Sequence, residues 1–224
     1  MPTFLPSHLL TFSPFTFLLF YFSKYLCLFL FIRGFLYPLF YFLFPISNLK
    51  VTSLHKNMDY EYFMKKALDQ ARKALDAGEF PVGCVLVYQN RILATGARKG
   101  TMGNFPNEID HAEMIALKRL ANMDINTDKK RIVLFTTMEP CLMCLGSMIL
   151  SGISKIVYAY EDVMGGGTNC DLTKLTPLYA NNPISIVPNI LRQNSLELFK
   201  AFFNTPENSY WKGSLLAEYT LRQS

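Results

Sequence analysis

Residues 131–152, RIVLFTTMEPCLMCLGSMILSG, place a buried strand directly before a helix. The apolar run RIVLFTT predicts the strand, and CLMCLGSMILSG predicts a helix that ends at Gly152. Cys141 and Cys144 stand three residues apart, so they share one face of that helix, and its positive N-terminal end favours thiolates. Pro140 suits a helix start, because its missing N–H has no intrahelical partner there. Alone, the pair fits a redox centre, half of a structural zinc site or part of a metal-dependent active site.

Strands and helices alternate on both sides of this stretch. Upstream, the sequence predicts an amphipathic helix over 59–77, a hairpin over 81–97 that turns at Gln89-Asn90, and a helix over 110–123 capped by Asp110. Downstream, it predicts strands at 155–160 and 184–187 and helices at 191–203 and 210–221. An initial hairpin followed by this alternation predicts an α/β fold with a mixed sheet covered by helices on both faces.

A second motif lies thirty residues before the cysteines. HAE, residues 111–113, completes the order H-x-E…P-C-x-x-C, which is typical of zinc deaminases. His111, Cys141 and Cys144 then supply three protein ligands and leave one tetrahedral position for water, as catalytic zinc sites do. Two thiolates offset the charge of the metal and so weaken its ability to lower the pKa of the bound water. A further group is then needed to accept the proton of that water, and Glu113 is placed to do this. The sequence therefore predicts one Zn²⁺ per chain and hydrolytic removal of an amine.

Two other interpretations of the cysteine pair lack support in the sequence. A structural zinc site needs a fourth ligand, and the remaining candidates, Cys84 and Cys170, stand in no paired motif. A redox pair usually begins the helix after a chain-opening strand, and this pair lies deep in the chain. Five scattered cysteines also do not form a disulfide framework and fit a reducing compartment, which predicts a cytoplasmic protein.

The first 57 residues differ from the rest in composition. Two runs rich in Phe, Leu and Tyr, Phe15–Phe22 and Tyr25–Ile32, are each too short to span a bilayer, but joined across Lys24 they reach a spanning length. No small-residue cleavage site follows, so a signal peptide is a poor match. A membrane segment, a mis-called start with Met58 as the true first residue, and a disordered or targeting segment all stay open. We predict an N-terminal hydrophobic extension over 1–57 and a zinc-dependent deaminase domain with C-terminal helices over 58–224.

Net charge gives little support for nucleic-acid binding. The chain carries +5, but four of its 22 basic residues precede the first acidic residue, Asp59, and 18 basic residues then face 17 acidic ones. A local basic face remains a hypothesis, to be formed by cationic side chains on the C-terminal helices: Arg192, Lys200, Lys212 and Arg222.

From about Tyr60 to Phe203 the chain resembles the cytidine deaminase superfamily, and within it the tRNA-specific adenosine deaminases and related nucleobase deaminases. The resemblance rests on EFPVGCVLV, DHAEMIAL, TTMEPCLMC and the pairing of GGGT…DL with NILRQNSLELFKAFF. It implies a three-layer α/β/α fold around a five-stranded sheet, a homodimer, zinc ligands His111, Cys141 and Cys144, and Glu113 as proton shuttle. It also places a group of residues at the substrate pocket: Pro81, Val82, Gly83, Cys84 and Pro140. For Cys84, a buried small residue of the core is the other interpretation.

The resemblance implies adenosine in tRNA as substrate, with a free nucleobase, nucleoside or nucleotide of guanine, cytosine or cytidine type as the alternative. One position departs from the family pattern. Where an Asn that contacts the nucleoside often ends the second strand, this chain has Arg98 in TGARKGTMGN, and Asn104 and Asn107 are candidate substitutes. Arg98 and Lys99 are predicted to form an exposed basic pair in the loop. This departure leaves the choice of substrate open without affecting the metal motif.

Overall fold

The computed structural model describes residues 58–103 and 105–224, together with the backbone of 16–22, 25–32 and 35–38. The chain divides into two units, Met1–Lys56 and Asn57–Ser224. In the first unit, three antiparallel strands form a sheet in the order β1-β2-β3: β1 (Thr16–Phe22), β2 (Tyr25–Ile32) and β3 (Phe35–Pro38). The rest of the predicted extension over 1–57 lies outside the described residues. None of the described helices is both long and apolar enough to cross a membrane.

The second unit is an α/β domain around a five-stranded sheet. Its strands are β4 (Gly83–Tyr88), β5 (Arg91–Ala97), β6 (Val133–Met138), β7 (Lys155–Tyr160) and β8 (Ser185–Val187). Its α-helices are α1 (Tyr60–Asp76), α2 (Ala112–Ala121), α3 (Leu142–Leu150), α4 (Pro177–Ala180), α5 (Arg192–Phe203) and α6 (Leu215–Arg222).

The sheet is mixed, with strand order β5-β4-β6-β7-β8. β4 pairs antiparallel with β5 and β6, whereas β6, β7 and β8 run parallel. Gln89 (φ 49°) and Asn90 (φ 60°) both lie in the left-handed region, which a two-residue hairpin turn requires. The predicted hairpin and five-stranded mixed sheet are therefore confirmed.

Alternate residues of the central strands enter two separate cores, because successive side chains point to opposite faces of a sheet. Val85 and Val87 of β4 pack with α1, whereas Cys84 and Leu86 pack with α2 and α3. Helices thus cover both faces, and the predicted three-layer α/β/α architecture is confirmed.

Three local predictions at helix ends are wrong. The N-cap of α2 is His111, and the Asp110 carboxylate instead accepts hydrogen bonds from Lys118 Nζ (3.1 Å) and Asn107 Nδ2 (2.8 Å). The second wrong prediction is Pro140 at the start of α3. The N-cap of this helix is Cys141, so Pro140 lies one residue before the cap and outside the helix.

The third wrong prediction is the start of the last helix. This helix begins at Leu215 rather than near residue 210, because Ser214 caps it by accepting a hydrogen bond from the backbone N–H of Ala217 (3.2 Å). Just before the cap, Trp211 (φ 54°) and Gly213 (φ 71°) have left-handed backbones, which no α-helix can contain.

Candidate functional site

The two motif helices start side by side, and their first residues bring three metal-binding side chains together. His111 and Cys141 are the N-caps of α2 and α3, and Cys144 is the third residue of α3. His111 Nδ1 lies 3.6 Å from Cys141 Sγ and 3.5 Å from Cys144 Sγ. All three ligand atoms fall within 4.8 Å of one another. The structure therefore assembles the three predicted ligands from positions thirty residues apart in sequence.

These separations fit a tetrahedral zinc ion. Zn–N and Zn–S bonds of about 2.0 and 2.3 Å at a tetrahedral angle place the nitrogen and sulfur about 3.5 Å apart. The two N···S distances, 3.6 and 3.5 Å, match this value closely. Within residues 58–103 and 105–224, no fourth Cys, His, Asp or Glu joins the cluster. Three ligands are the number found in catalytic rather than structural zinc sites.

The surroundings prepare one of the two cysteines, Cys141, for metal binding, whereas the hydrogen bond to Cys141 and burial raise the pKa of Cys144 above its ordinary value. Hydrogen bonding from Cys144 and from His111 lowers the pKa of Cys141 to about 4, although burial opposes this change. Cys141 is also tied by an isolated β-bridge to Gly166 in the loop after β7. A Cβ at the next residue, Gly167, would lie 2.8 Å from Leu142 N, so this glycine allows the loop to pack against the start of α3.

Glu113 is buried beside the ligands, with only 3% of its surface exposed. Its Oε1 accepts a hydrogen bond from Thr136 Oγ1 (2.6 Å), and its Oε2 lies 3.7 Å from Cys144 Sγ. Burial raises the pKa of Glu113, while the hydrogen bond from Thr136 opposes that rise. A carboxyl group of raised pKa, next to a metal site, is suited to receive and return a proton.

A pocket of ≈ 70 Å³ opens next to His111 and Glu113. Of the predicted pocket residues, Val82 lines it. The others are buried around it and are not among its lining residues: Pro81, Gly83, Cys84 and Pro140. A Cβ at Gly83 would lie 2.1 Å from Ala67 O, so this glycine is required by the packing of β4 against α1. Cys84 is fully buried, and burial raises the pKa of its thiol.

Several pocket residues were not anticipated from the motifs: Phe80, Arg98, Glu139, Asp162, Tyr210 and Trp211. Glu139 is buried, and its carboxylate accepts hydrogen bonds from the backbone N–H groups of Asp162 (3.1 Å) and Thr168 (3.2 Å). It thereby holds the loop after β7 against the start of α3. The predicted exposed basic pair is half wrong, because Arg98 is only 2% exposed while Lys99 is exposed.

Known proteins resemble this chain in sequence and in fold. The family model for the cytidine and deoxycytidylate deaminase zinc-binding region matches residues 57–160. The tRNA-specific adenosine deaminase of Streptococcus pyogenes is 31% identical over 142 residues, which cover 63% of this chain and 88% of that protein. The tRNA-specific adenosine deaminase 2 of Danio rerio is 29% identical over 170 residues, which cover 70% and 78%. A solved structure of guanine deaminase from Nitrosomonas europaea shares the fold at 21% identity, with a TM-score of 0.52 over 65% of this chain and 85% of that one.

Proposed function

The chain belongs to the cytidine and deoxycytidylate deaminase family, and we propose that its substrate is adenosine in tRNA, which it converts to inosine. One observation carries the chemistry: three side chains that can hold zinc lie within 4.8 Å of one another, and two of them, His111 and Cys141, line one pocket together with the buried Glu113. The choice of substrate is supported by two relatives that are named tRNA-specific adenosine deaminases.

In this proposal His111, Cys141 and Cys144 hold the zinc ion. When bound, zinc supplies a Lewis acid that makes a water molecule nucleophilic near neutral pH. The Glu113 carboxylate takes one proton from that water and passes it to a ring nitrogen of the base. It then takes the remaining proton of the added hydroxyl group and passes it to the exocyclic amine, which departs as ammonia. Water oxygen thus replaces the exocyclic amine, and a carbonyl and ammonia are the products. Thr136 donates to Glu113 Oε1 and fixes the orientation of the carboxylate during both transfers.

The substrate is tested by incubating the full chain with tRNA and, separately, with adenosine, guanine, cytosine and cytidine. Inosine in the tRNA supports the proposal. Ammonia release from a free base or nucleoside alone contradicts it and favours the free-substrate alternative.

The catalytic roles are tested by metal analysis of variants. We expect His111→Ala and Cys141→Ala to lose zinc, and Glu113→Ala to keep zinc but lose turnover. Cys170→Ala is the matched control, since Cys170 is a free cysteine outside the metal cluster and its loss should change neither zinc content nor turnover. A Glu113→Ala variant that remained active would contradict the assigned role.

We further propose that the chain acts as a homodimer. The helix that carries the cysteine ligands exposes two apolar side chains, Leu142 (55% exposed) and Leu150 (60%), and Val163 and Met164 in the following loop are exposed too. A second copy that covers these side chains would remove them from water. Light scattering of the full chain tests this: a mass twice the 25.6 kDa of the chain is expected, and Leu150→Glu should shift it toward the monomer.

We propose that residues 58–224 form the deaminase domain, that 1–57 are a separate extension, and that the protein acts in the cytoplasm. Membrane association would then depend on the extension alone. The intact mass of the product expressed from its own gene shows whether residues 1–57 are present. Fractionation of cells that express the chain with and without this extension then shows whether it directs the protein to a membrane.

A further inference from the structure

The segment Asn208–Gly213, here called the C-terminal segment, brings two aromatic side chains into the zinc-site pocket. Tyr210 and Trp211 line this pocket together with His111 and Glu113. Their rings stack on each other, with centroids 5.0 Å apart and an interplanar angle of 11°. The Phe80 ring packs against both, at 5.5 Å from Tyr210 and 5.7 Å from Trp211. An aromatic wall therefore faces the metal ligands, although it comes from a part of the chain about 70 residues beyond the cysteines.

The backbone of Trp211 adopts a conformation that side chains disfavour. Its φ is 54°, in the left-handed region, where Cβ crowds the following carbonyl oxygen. Such a conformation persists when the surrounding structure enforces it, and these conformations concentrate at ligand-binding positions. Here Asn208 contributes to the constraint, because its Oδ1 accepts a hydrogen bond from Tyr210 N (2.9 Å).

A buried arginine ties this segment to the other side of the pocket. Arg98 Nη2 donates to Glu108 Oε2 (2.9 Å) and lies 3.4 Å from the Tyr210 hydroxyl, which itself donates to Glu108 (2.9 Å). Arg98 Nη1 donates to the carbonyls of Asn107 (2.8 Å) and Lys99 (3.1 Å). The four terminal N–H groups of this guanidinium are thus matched by protein acceptors. Arg98 consequently serves to hold Tyr210, and with it Trp211, in place.

The indole of Trp211 still has binding capacity. Trp211 is partly exposed, so part of its indole surface is open to a ligand in the pocket. The pocket, at ≈ 70 Å³, is well below the roughly 300 Å³ at which small-molecule pockets usually begin. A base that enters so small a space must contact the residues that line it, and the indole of Trp211 is the largest flat side chain among them.

We propose that Trp211 is a specificity-determining residue that stacks on the base to be deaminated, and that Arg98, Glu108 and Tyr210 are positioning residues that hold the indole in the pocket. This inference rests on the proposed function, because it requires an aromatic base as substrate. Deaminases read an extruded base partly by stacking it on aromatic side chains, and the two-ring face of a purine offers more stacking area than a pyrimidine. The arrangement therefore favours a purine.

The chain offers a direct probe of this contact, since Trp211 is its single tryptophan. Full-length Glu113→Ala protein, which should bind substrate without turning it over, is titrated with adenosine, guanine, cytidine and tRNA while tryptophan fluorescence is recorded. Saturable quenching is expected with the ligand that the wild-type chain deaminates. Absence of any fluorescence change with that ligand would overturn the inference.

Steady-state kinetics test the same contact through substrate affinity. Stacking of one base corresponds to a factor of about 5 to 150 in affinity, so Trp211→Ala should raise KM by that factor and change kcat by less than about threefold. Trp211→Phe keeps an aromatic face and should stay within about fivefold of the wild-type KM. Tyr62→Ala is the control, because Tyr62 is an exposed aromatic residue on α1, away from the pocket, and its loss should leave KM unchanged.

The outcomes separate this inference from the proposed function. An unchanged KM in Trp211→Ala, or equal losses of kcat and thermal stability in Trp211→Ala and Trp211→Phe, would show a purely structural residue. A wild-type chain that deaminates no tested base would refute the proposed function. If such a chain still showed quenching by a base, stacking would stand without that function.

Discussion

Gly96→Ala should damage the metal site through packing alone, without touching a ligand. β5 passes under the first turn of α2, and a Cβ at Gly96 would lie 1.9 Å from Ala112 O and 3.0 Å from Ala116 N. Ala112 stands between His111 and Glu113, so the turn that would be displaced carries a proposed zinc ligand and the proposed proton shuttle. Relief of the clash needs a shift of about 1 Å, since packed heavy atoms of this kind stay about 3 Å apart or more.

The expected magnitudes follow from the size of this shift. Overpacking by one methyl group costs about 1–3 kcal/mol, and each kcal/mol lowers Tm by about 2–4 °C in a domain of this size. We therefore expect Tm to fall by about 2–12 °C. A displacement of about 1 Å also exceeds the roughly 0.2 Å tolerance of metal–ligand distances, so zinc affinity should fall by about 10–100-fold.

Gly83→Ala is the matched control for this effect. Its Cβ would lie 2.1 Å from Ala67 O and 2.3 Å from Ala71 N, so it overpacks β4 against α1, which carries no proposed ligand. Thermal unfolding and zinc competition with a chelator are measured for both variants and the wild type. Both variants should lose stability, and only Gly96→Ala should lose zinc affinity. Equal zinc affinity in the two variants would refute the argument that packing at Gly96 positions the ligands.

Three further predictions follow from single contacts. Thr136→Val removes the hydrogen bond to Glu113 and should lower kcat by about tenfold with zinc content unchanged; an unaltered kcat would contradict the orienting role. Gly146 lies on the face of α3 that also carries Leu142 and Leu150, and nothing in the chain lies within 4 Å of a Cβ at this position; in the Leu150→Glu monomer Gly146→Ala should therefore stabilise the domain by about 0.5–1 kcal/mol in urea unfolding, and a loss of stability in that monomer would contradict the open space. Burial raises the pKa of Glu161, but hydrogen bonds from Arg192 and Tyr219 outweigh it and leave that pKa below its ordinary value. The stability from this carboxylate is therefore present above about pH 4.3 and is lost as pH falls below it, so Glu161→Gln should weaken the acid dependence of unfolding, measured from pH 3 to 7.

The sequence identified the three candidate zinc ligands but not the far wall of the pocket. H-x-E and P-C-x-x-C each have a spacing fixed by one helix start, so local order predicts which side chains share that start. That the two motifs meet, thirty residues apart, follows only from their combination, which is typical of zinc deaminases. Arg98 and Tyr210 are 112 residues apart, and no local pattern relates a loop after β5 to a turn before α6. Arg98 stands where the family often has an Asn that contacts the nucleoside, and this departure was the one indication in the sequence that Arg98 lies at the pocket. We nevertheless expected it to be exposed, because a basic pair in a polar loop is usually solvated. Burial of Arg98 depends on Glu108 and Tyr210, which only the tertiary fold brings to it.

The distribution of partners among the C-terminal cations bears on whether the substrate is tRNA. Three of the four side chains expected to form a basic face are bonded within the protein: Arg192 to Glu161, Lys200 to the Gln223 carbonyl, and Arg222 to Glu218. For Lys212, which is exposed, residues 58–103 and 105–224 provide no ion-pair partner. Lys212 also directly follows Trp211, so the remaining charge of this group lies beside the pocket.

This arrangement predicts a weak dependence of tRNA binding on salt. The affinity of a protein that neutralises Z phosphates falls with salt with a logarithmic slope of about −0.7 to −0.9 per phosphate. With the one contact that Lys212 provides, KM for tRNA should rise by about threefold between 50 and 200 mM salt, and KM for a free base should not change. Lys212→Ala should reduce the magnitude of this slope by about 0.7–0.9, the contribution of one phosphate contact. Lys174→Ala, which removes an exposed lysine paired with Asp171, should leave the slope unchanged. A rise of a thousandfold or more would mean that a basic surface other than these helices binds the RNA, because one free lysine beside the pocket cannot neutralise that many phosphates.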